Sequence, residues 1–298
     1  MKFQLSIIVP VYNEIDAIES TILELCKIKE GNKKKISLEI IIVDDCSDDG
    51  TSKKIEKIQK LNKNHNFTII SHEVNKGYGA SIKTGVLNSN GLYFAITDAD
   101  GTYPNSRMIE FYEDLKKENL EMIVGARIGQ NVNIPLIRKI PKFFLSKLAN
   151  YLSEHIIPDL NSGFRIINKE VFLKYINIIP NGFSLTTTIT LALLTNNHSV
   201  KFKKIDYAAR TGSSKIRPIA DTLNFLQLIF RTILYFNPLK VFFPLSLSLF
   251  LIGIFFLILR MFYGFGYGTV SIIFLLSSLN ILTSGLIAEL IIKNIRKQ

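Results

Sequence analysis

Two carboxylates one residue apart, Asp98 and Asp100, close an apolar run in Thr97-Asp98-Ala99-Asp100-Gly101-Thr102-Tyr103-Pro104. Gly91 to Thr97 reads as a buried strand, and open α/β sheets bind ligands beyond the carboxyl ends of their strands. Both side chains can therefore reach one ion while the backbone turns at Gly101. Two carboxylates with open positions suit a hard cation, Mg²⁺ or Mn²⁺, with nucleotide phosphates filling the remaining sites. Taken alone, Asp-x-Asp after a strand is more commonly a hydrogen-bonded turn. Downstream, Arg210-Thr211-Gly212-Ser213-Ser214-Lys215 places hydroxyls and a flexible backbone between two cations. Alone, that string reads as a solvated loop. Arg138, Lys139, Lys142 and Lys147, mixed with Phe143, Phe144 and Leu148, form a basic amphipathic segment suited to lipid headgroups.

The elements that must position these groups alternate. Apolar, β-rich runs at Leu5 to Val11, Leu38 to Val43, Phe67 to Ser71, Gly91 to Thr97 and Met122 to Val124 are separated by helix-like segments near 16–29 and 79–88 and by a Lys-rich one after Thr51 that carries Lys53, Lys54, Lys57 and Lys60. This pattern predicts a mainly parallel α/β sheet with its polar clusters at the strand ends. Gly77-Tyr78-Gly79 lacks the spacing of a Walker or dinucleotide loop.

The C-terminal quarter differs. No charged residue lies between Lys240 and Arg260, nor from Met261 to Ala288. Each run is long enough to cross a hydrocarbon core of roughly 30 Å. The pair reads as a transmembrane helical hairpin, about 239–260 and 267–292, turning at Gly264, Gly266 and Gly268. Arg231, Lys240, Lys293, Arg296 and Lys297 flank it, so the positive-inside bias puts both termini and the N-terminal domain in the cytoplasm of a cell membrane or an ER-type membrane. Met1 to Pro10 has no apolar secretory leader. Two cysteines, Cys26 and Cys46, without metal-ligand spacing argue against a disulfide framework. The net charge of +11 is distributed over lysine-rich faces rather than a nucleic-acid motif, so no nucleic-acid partner is expected. Ser277, Ser278, Ser284, Gly285 and Ala288 would let copies of the hairpin approach closely, which leaves a homo-oligomer open.

Six blocks occur in order: Ser6-Ile7-Ile8-Val9-Pro10-Val11-Tyr12-Asn13-Glu14, Ile42 to Thr51, Asn75-Lys76-Gly77, Asp98-Ala99-Asp100, Gly125-Ala126-Arg127 and Asn161-Ser162-Gly163-Phe164-Arg165. In this order they resemble family-two glycosyltransferases of the GT-A fold, in the branch of dolichol-phosphate mannose synthases and bacterial polyprenyl-phosphate glycosyltransferases. The resemblance covers about residues 5 to 236 and extends to the hairpin. It implies that Pro10, Tyr12, Glu14, Val43, Asp45 and Lys76 serve the nucleotide of the donor, with Ala99 at its ribose. Asp98 and Asp100 match the metal and diphosphate site. Many relatives have Gln two residues after the second Asp; this chain has Thr102, so a hydroxyl or a water would stand in that place.

The resemblance further implies that Arg127 lies near the transferred phosphates and that Arg210 and Lys215 close over the donor. Arg138, with Lys139 and Lys142, would bind the acceptor phosphate together with Arg127. Asp159 would orient Arg165 or the acceptor, or serve structure alone. The implied organisation is a GT-A domain over 1–215, an amphipathic juxtamembrane helix over 216–237 and the hairpin over 238–298. The implied activity is inverting sugar transfer from a UDP- or GDP-hexose to polyprenyl or dolichyl phosphate. Transfer to a glycan or glycolipid hydroxyl is the alternative; it needs a general base that the sequence does not offer. A sugar-nucleotide sensor without catalysis is the third reading.

Overall fold

The computed structural model describes residues 3–32, 36–61, 67–128, 147, 150–151, 154–182, 184–207, 234, 237–263 and 266–295. The chain divides into two compact units, Met1–Phe225 and Leu226–Gln298.

In the first unit a seven-stranded sheet runs in the order β3-β2-β1-β4-β6-β5-β7. Its strands are β1 (Leu5–Val11), β2 (Leu38–Asp44), β3 (Thr68–Ser71), β4 (Tyr93–Ile96), β5 (Met122–Ala126), β6 (Arg165–Asn168) and β7 (Val200–Lys204). All described pairings are parallel except those of β6, which runs antiparallel to both β4 and β5. That reversal decides the site. The loop entering β6 arrives at the same edge where the parallel strands end.

Helices α1 (Ile18–Gly31), α2 (Thr51–Leu61), α3 (Tyr78–Leu87), α4 (Met108–Lys117), α5 (Lys169–Tyr175) and α6 (Leu185–Thr195) cover the sheet. Strand alternation sorts the core into two layers. Leu5, Ile7 and Val9 of β1 join Ile18, Ile22, Leu25, Ile55 and Phe111 on one face. Ile8, with Phe94 and Ile96 of β4, joins Ile82, Phe172, Ile189 and Leu193 on the other. Phe94 and Phe172 meet edge to face at 4.9 Å. Each such side chain contributes roughly 1.5–3 kcal/mol by leaving water. Helix α6 is buried nearly all round and still carries threonines. Thr188 and Thr190 return their hydroxyls to the carbonyls of Ser184 and Thr186, so their burial leaves no orphaned donor.

The second unit holds α7 (Leu239–Tyr263) and α8 (Gly266–Ile295), two apolar helices long enough to cross a membrane. They pack through small residues: Ser246 and Gly253 of α7, and Ser271, Ser278 and Gly285 of α8, are buried. The seven-residue spacing keeps one seam facing the partner helix. Ser246 Oγ donates to the Ser278 carbonyl at 2.9 Å and Ser271 Oγ to the Gly253 carbonyl at 2.8 Å. Most of the remaining apolar surface, including Phe250, Phe255, Leu276 and Ile287, points outward.

Candidate active site

Asp44 and Asp45, at the end of β2, spend their carboxylates on hydroxyls, backbone N–H groups and His72. Asp44 Oδ1 accepts from Ser47 N and Oγ at 3.2 and 2.5 Å, and Oδ2 accepts from Ser52 Oγ. Asp45 Oδ1 meets His72 Nδ1 at 2.7 Å and accepts from Lys76 N at 2.9 Å, while Oδ2 accepts from Gly77 N at 2.7 Å. His72 Nε2 reaches Thr84 Oγ1 at 2.9 Å, so the Asp45 network spans β2, the loop after β3 and α3. Asn13, in the left-handed region at φ 55°, exchanges hydrogen bonds with Asp48 at 2.6 and 2.9 Å. Glu14 N donates to Thr51 Oγ1 at 3.1 Å. Gly77, at φ 96°, permits an approach in which a Cβ would stand 2.7 Å from the Asn181 carbonyl.

At the end of β4, Thr21 Oγ1 donates to the Ala99 carbonyl at 3.0 Å and Thr97 Oγ1 to Asn105 Oδ1 at 2.6 Å. These bonds set the turn that carries the two aspartates. Tyr78 Oη donates to Asp98 Oδ1 at 3.1 Å. Burial, with the Asp98 charge added, pushes that phenol well above its ordinary value, so it stays a donor. Asp100 Oδ1 accepts from Thr102 N at 3.2 Å and from Thr102 Oγ1 at 2.7 Å. The Thr102 hydroxyl thus aims Asp100 from a fully buried position.

From the β5–β6 side, Arg127 and Asp159 form a bidentate pair, Nε to Oδ2 at 2.7 Å and Nη2 to Oδ1 at 3.0 Å. Arg127 N and Asn161 N each add a bond to the carboxylate at 3.1 Å. Burial works to raise the Asp159 carboxyl, but the hydrogen bonds and charge of Arg127 outweigh it and hold it below the ordinary carboxylate range. Burial pulls the Arg127 guanidinium down, and the same pair more than reverses this. Arg127 Nη1 has no hydrogen-bond partner among the described residues; the Tyr207 ring lies 5.3 Å from its guanidinium carbon.

Arg165 is fully buried and, among the described residues, has no carboxylate partner. Its Nε donates to the Ser162 carbonyl at 3.1 Å and Nη2 to the same oxygen, while Nη1 reaches the Thr186 carbonyl at 3.0 Å and Thr190 Oγ1 at 3.1 Å. Burial lowers it to about 10, against the opposing pull of Tyr78 and Tyr103, and it remains a cation at neutral pH. The clamp fixes the next residue, Gly163, against Asp98. A Cβ on Gly163 would fall 2.9 Å from both Asp98 Oδ1 and Tyr78 Oη, and Gly163 N donates to Tyr103 Oη at 2.7 Å.

The site-residue expectations divide clearly. Pro10 and Val43 are register partners at the buried ends of β1 and β2, leaving only backbone at the edge. Tyr12 and Lys76 are exposed, and Ala99 is buried with its carbonyl engaged. Asp98, Asp100, Arg127 and Asp159 sit at the same sheet edge. Asp159 holds Arg127 rather than Arg165, because the antiparallel entry into β6 lays residue 159 beside the end of β5. Arg138, Lys139, Lys142, Arg210 and Lys215 lie outside the described residues. Sequence reasoning missed Tyr78, Tyr103, Tyr207, the clamp of Arg165 and the donor role of Thr102. Only Thr102 carried a signal, as a hydroxyl two residues after Asp100, the usual spacing of an Asx turn. A cavity of ≈ 250 Å³ beside this turn is lined by Gly101 to Pro104, Asp206 and Tyr207.

The residues fit a divalent cation. Asp98 and Asp100 supply hard oxygen donors, and the missing Cβ of Gly163 keeps space beside Asp98. Among the described residues no group of three or more His, Cys, Asp or Glu could hold a metal by protein ligands alone.

A profile of glycosyl transferase family 2 matches residues 6–176, more than half of the chain, and one of the GtrB C-terminal hairpin matches residues 237–293. The chain belongs to glycosyl transferase family 2. It is 31% identical over 192 residues to a dolichyl-phosphate beta-glucosyltransferase of Dictyostelium discoideum, covering 62% of this chain and 54% of that protein. It thus spans about half of that relative's length. A dolichyl-phosphate hexose transferase of Haloferax volcanii is 25% identical over 217 residues, covering 72% of this chain and 88% of the relative. Among solved structures, glucosyl-3-phosphoglycerate synthase of Mycobacterium tuberculosis, in complex with Mn²⁺, uridine diphosphate and phosphoglyceric acid, superposes with a TM-score of 0.57 at 15% identity. That match covers 78% of each chain and bears on the fold, which is of the GT-A class expected for a family 2 domain.

Proposed function

We propose that this family 2 chain transfers a hexose from a UDP- or GDP-sugar to a polyprenyl or dolichyl phosphate at the cytoplasmic face of a membrane. The observation that carries the reading is the convergence of the Asp98–Asp100 turn and the Arg127–Asp159 pair at one sheet edge, in a chain with an apolar hairpin. The relatives' names point to the same acceptor class.

The donor's nucleoside would lie over the ends of β1 and β2, against Tyr12, Glu14, Lys76 and the backbone of Pro10 and Val43. In that arrangement Asp45 acts by holding the 76–77 turn in place. Asp98 and Asp100 would hold Mg²⁺ or Mn²⁺, which neutralises diphosphate charge when bound. Thr102 keeps Asp100 aimed, and Tyr78 with Gly163 keeps Asp98 in place.

The acceptor is already an anion near neutral pH. Its phosphate oxygen forms the new bond to the anomeric carbon as the bond from that carbon to the diphosphate oxygen breaks, and the electron pair leaves with the nucleoside diphosphate. One displacement inverts the centre, and no base has to remove a proton. The need is for two anions to be held together. Arg127 Nη1 would meet the acceptor phosphate. Because Asp159 nearly neutralises that guanidinium, Arg138, Lys139 and Lys142 would supply the remaining positive charge, and Arg210 and Lys215 would cover the donor.

The test incubates the purified full chain with Mg²⁺ or Mn²⁺, a short polyprenyl phosphate and labelled nucleotide sugars. Organic-extractable label is expected, and Asp100→Asn should cost it at least about 10²-fold while leaving the fold intact. Label on a glycan acceptor alone, or nucleotide-sugar binding with no product, would overturn the reading.

A further inference from the structure

The five residues Asp159-Leu160-Asn161-Ser162-Gly163, on the approach to β6, reach from one half of the site to the other. At one end Asp159 grips Arg127, and at the other Gly163 lies against Asp98. Of the five only Asn161 is exposed: Asp159 and Leu160 are half-buried, and Ser162 and Gly163 are buried. Its carboxamide is nevertheless held. Thr187, fully buried in the first turn of α6, donates its hydroxyl to Asn161 Oδ1 at 2.7 Å, and the Asn161 backbone N–H donates to Asp159 Oδ1 at 3.1 Å. A carboxamide offers two N–H donors beside its oxygen. With the oxygen engaged by α6, Asn161 Nδ2 has no hydrogen-bond partner among the described residues, and its donors remain on the exposed residue of the stretch.

In-line displacement fixes what lies along this stretch. With the donor diphosphate at Asp98 and Asp100 and the acceptor phosphate at Arg127, the anomeric carbon passes between them, and the hexose ring has to occupy the space that residues 159–163 border. We propose, given transfer between those two phosphates as read above, that the Asn161 carboxamide reads the donor sugar: Nδ2 donates to one hydroxyl of the hexose, and Thr187 is the positioning residue that holds the amide for it.

A sugar hydroxyl suits Asn161 better than a phosphate oxygen. Phosphates are drawn to full positive charge, and the Asp159 carboxylate that accepts the Asn161 N–H disfavours an anion at that point. A hydroxyl carries no charge; its oxygen accepts from a neutral amide while its proton stays free for another partner. The first turn of α6, Leu185 to Thr188, brings no charged side chain to compete. The bond from Thr187 limits the rotamers of Asn161, so the donor direction is set before the sugar arrives and less order is lost on binding.

The experiment measures binding of UDP-glucose and GDP-mannose to the purified full chain in detergent with Mn²⁺, each beside its own nucleoside diphosphate. Asn161→Ala should weaken the sugar nucleotide about 3- to 10-fold, the worth of one neutral hydrogen bond, and leave UDP and GDP binding unchanged. Thr187→Val should lower the same ratio about 2- to 3-fold, while Thr187→Ser, which keeps the hydroxyl, should match wild type. Among analogues of the bound donor that each lack one sugar hydroxyl, wild type should lose the same factor on one of them, and Asn161→Ala should lose nothing further on it. A loss shared equally by the free diphosphate, a raised KM for the acceptor alone, or an unchanged ratio in either Asn161→Ala or Thr187→Val would overturn the sugar contact. A wild type that binds sugar nucleotide but labels no lipid phosphate would overturn the transfer reading, and the ratio would still decide Asn161; a wild type that binds neither sugar nucleotide would overturn both.

Discussion

On the β1–β2–β3 side of the sheet, both oxygens of Asp44 and both of Asp45 are bonded to hydroxyls, backbone N–H groups or His72. On the β6–β5 side, Asp159 grips a guanidinium, and the buried Arg165 donates to the Ser162 and Thr186 carbonyls and the Thr190 hydroxyl, with no carboxylate partner among the described residues. The first half spends negative charge on shaping loops; the second positions charge beside the place where phosphates would react. Variants on the first side should therefore act through stability, and those on the second through turnover.

The sharpest attempt to break this contrast is Asp45→Ala. It strands the Lys76 and Gly77 N–H groups and the His72 ring, and should lower stability by about 3–5 kcal/mol, read from the chemical-denaturation midpoint of the full chain in detergent. A normal midpoint with a raised KM for the donor would make Asp45 a ligand residue and erase the distinction.

On the other side, Arg127→Met should cut transfer about 10²-fold and destabilise by about 2 kcal/mol, because Asp159 keeps its two backbone donors. Adding Asp159→Asn should restore the stability without restoring the turnover. If the double variant recovers activity, the pair is structural. Arg165→Met orphans the Ser162 carbonyl and should cost about 1–3 kcal/mol, with a several-fold higher Mn²⁺ concentration needed for half-maximal activity. A stability loss with unchanged metal dependence would remove Arg165 from the positioning of Asp98.

The smallest effect belongs to the periphery. Glu110 is held down to about 2 by hydrogen bonds from Arg107 and Lys203. A depressed carboxyl contributes stability that is complete above its ordinary value of 4.5 and is lost as pH falls toward 2. Because Glu110 is nearly half exposed, its share is below about 1 kcal/mol. Glu110→Gln should flatten the acid limb of the stability profile slightly and leave stability at pH 7 within that margin.

Much of the fold was legible in the chain because it depends on short-range pattern. The all-buried run Leu5–Val11, the alternating helices and the charge-free stretches around 241–259 and 261–288 announce a parallel sheet and a hairpin by composition alone. Asp98 and Asp100 were legible for the same reason, since a strand and the turn after it lie within ten residues. The turn's internal bond from Thr102 to Asp100 was within reach of the sequence, being two residues long.

What lies around those aspartates was not. Gly163 meets Asp98 across 65 positions, and Asp159 meets Arg127 across 32, only because β6 enters antiparallel between β4 and β5. Strand direction is set by long-range pairing and leaves no periodic trace in a four-residue strand. The hairpin teaches the same lesson. Its apolar content decided that two helices form, but which of the small and polar residues on α8 turn inward was decided by contact with α7, and that contact buries Ser271, Ser278 and Gly285.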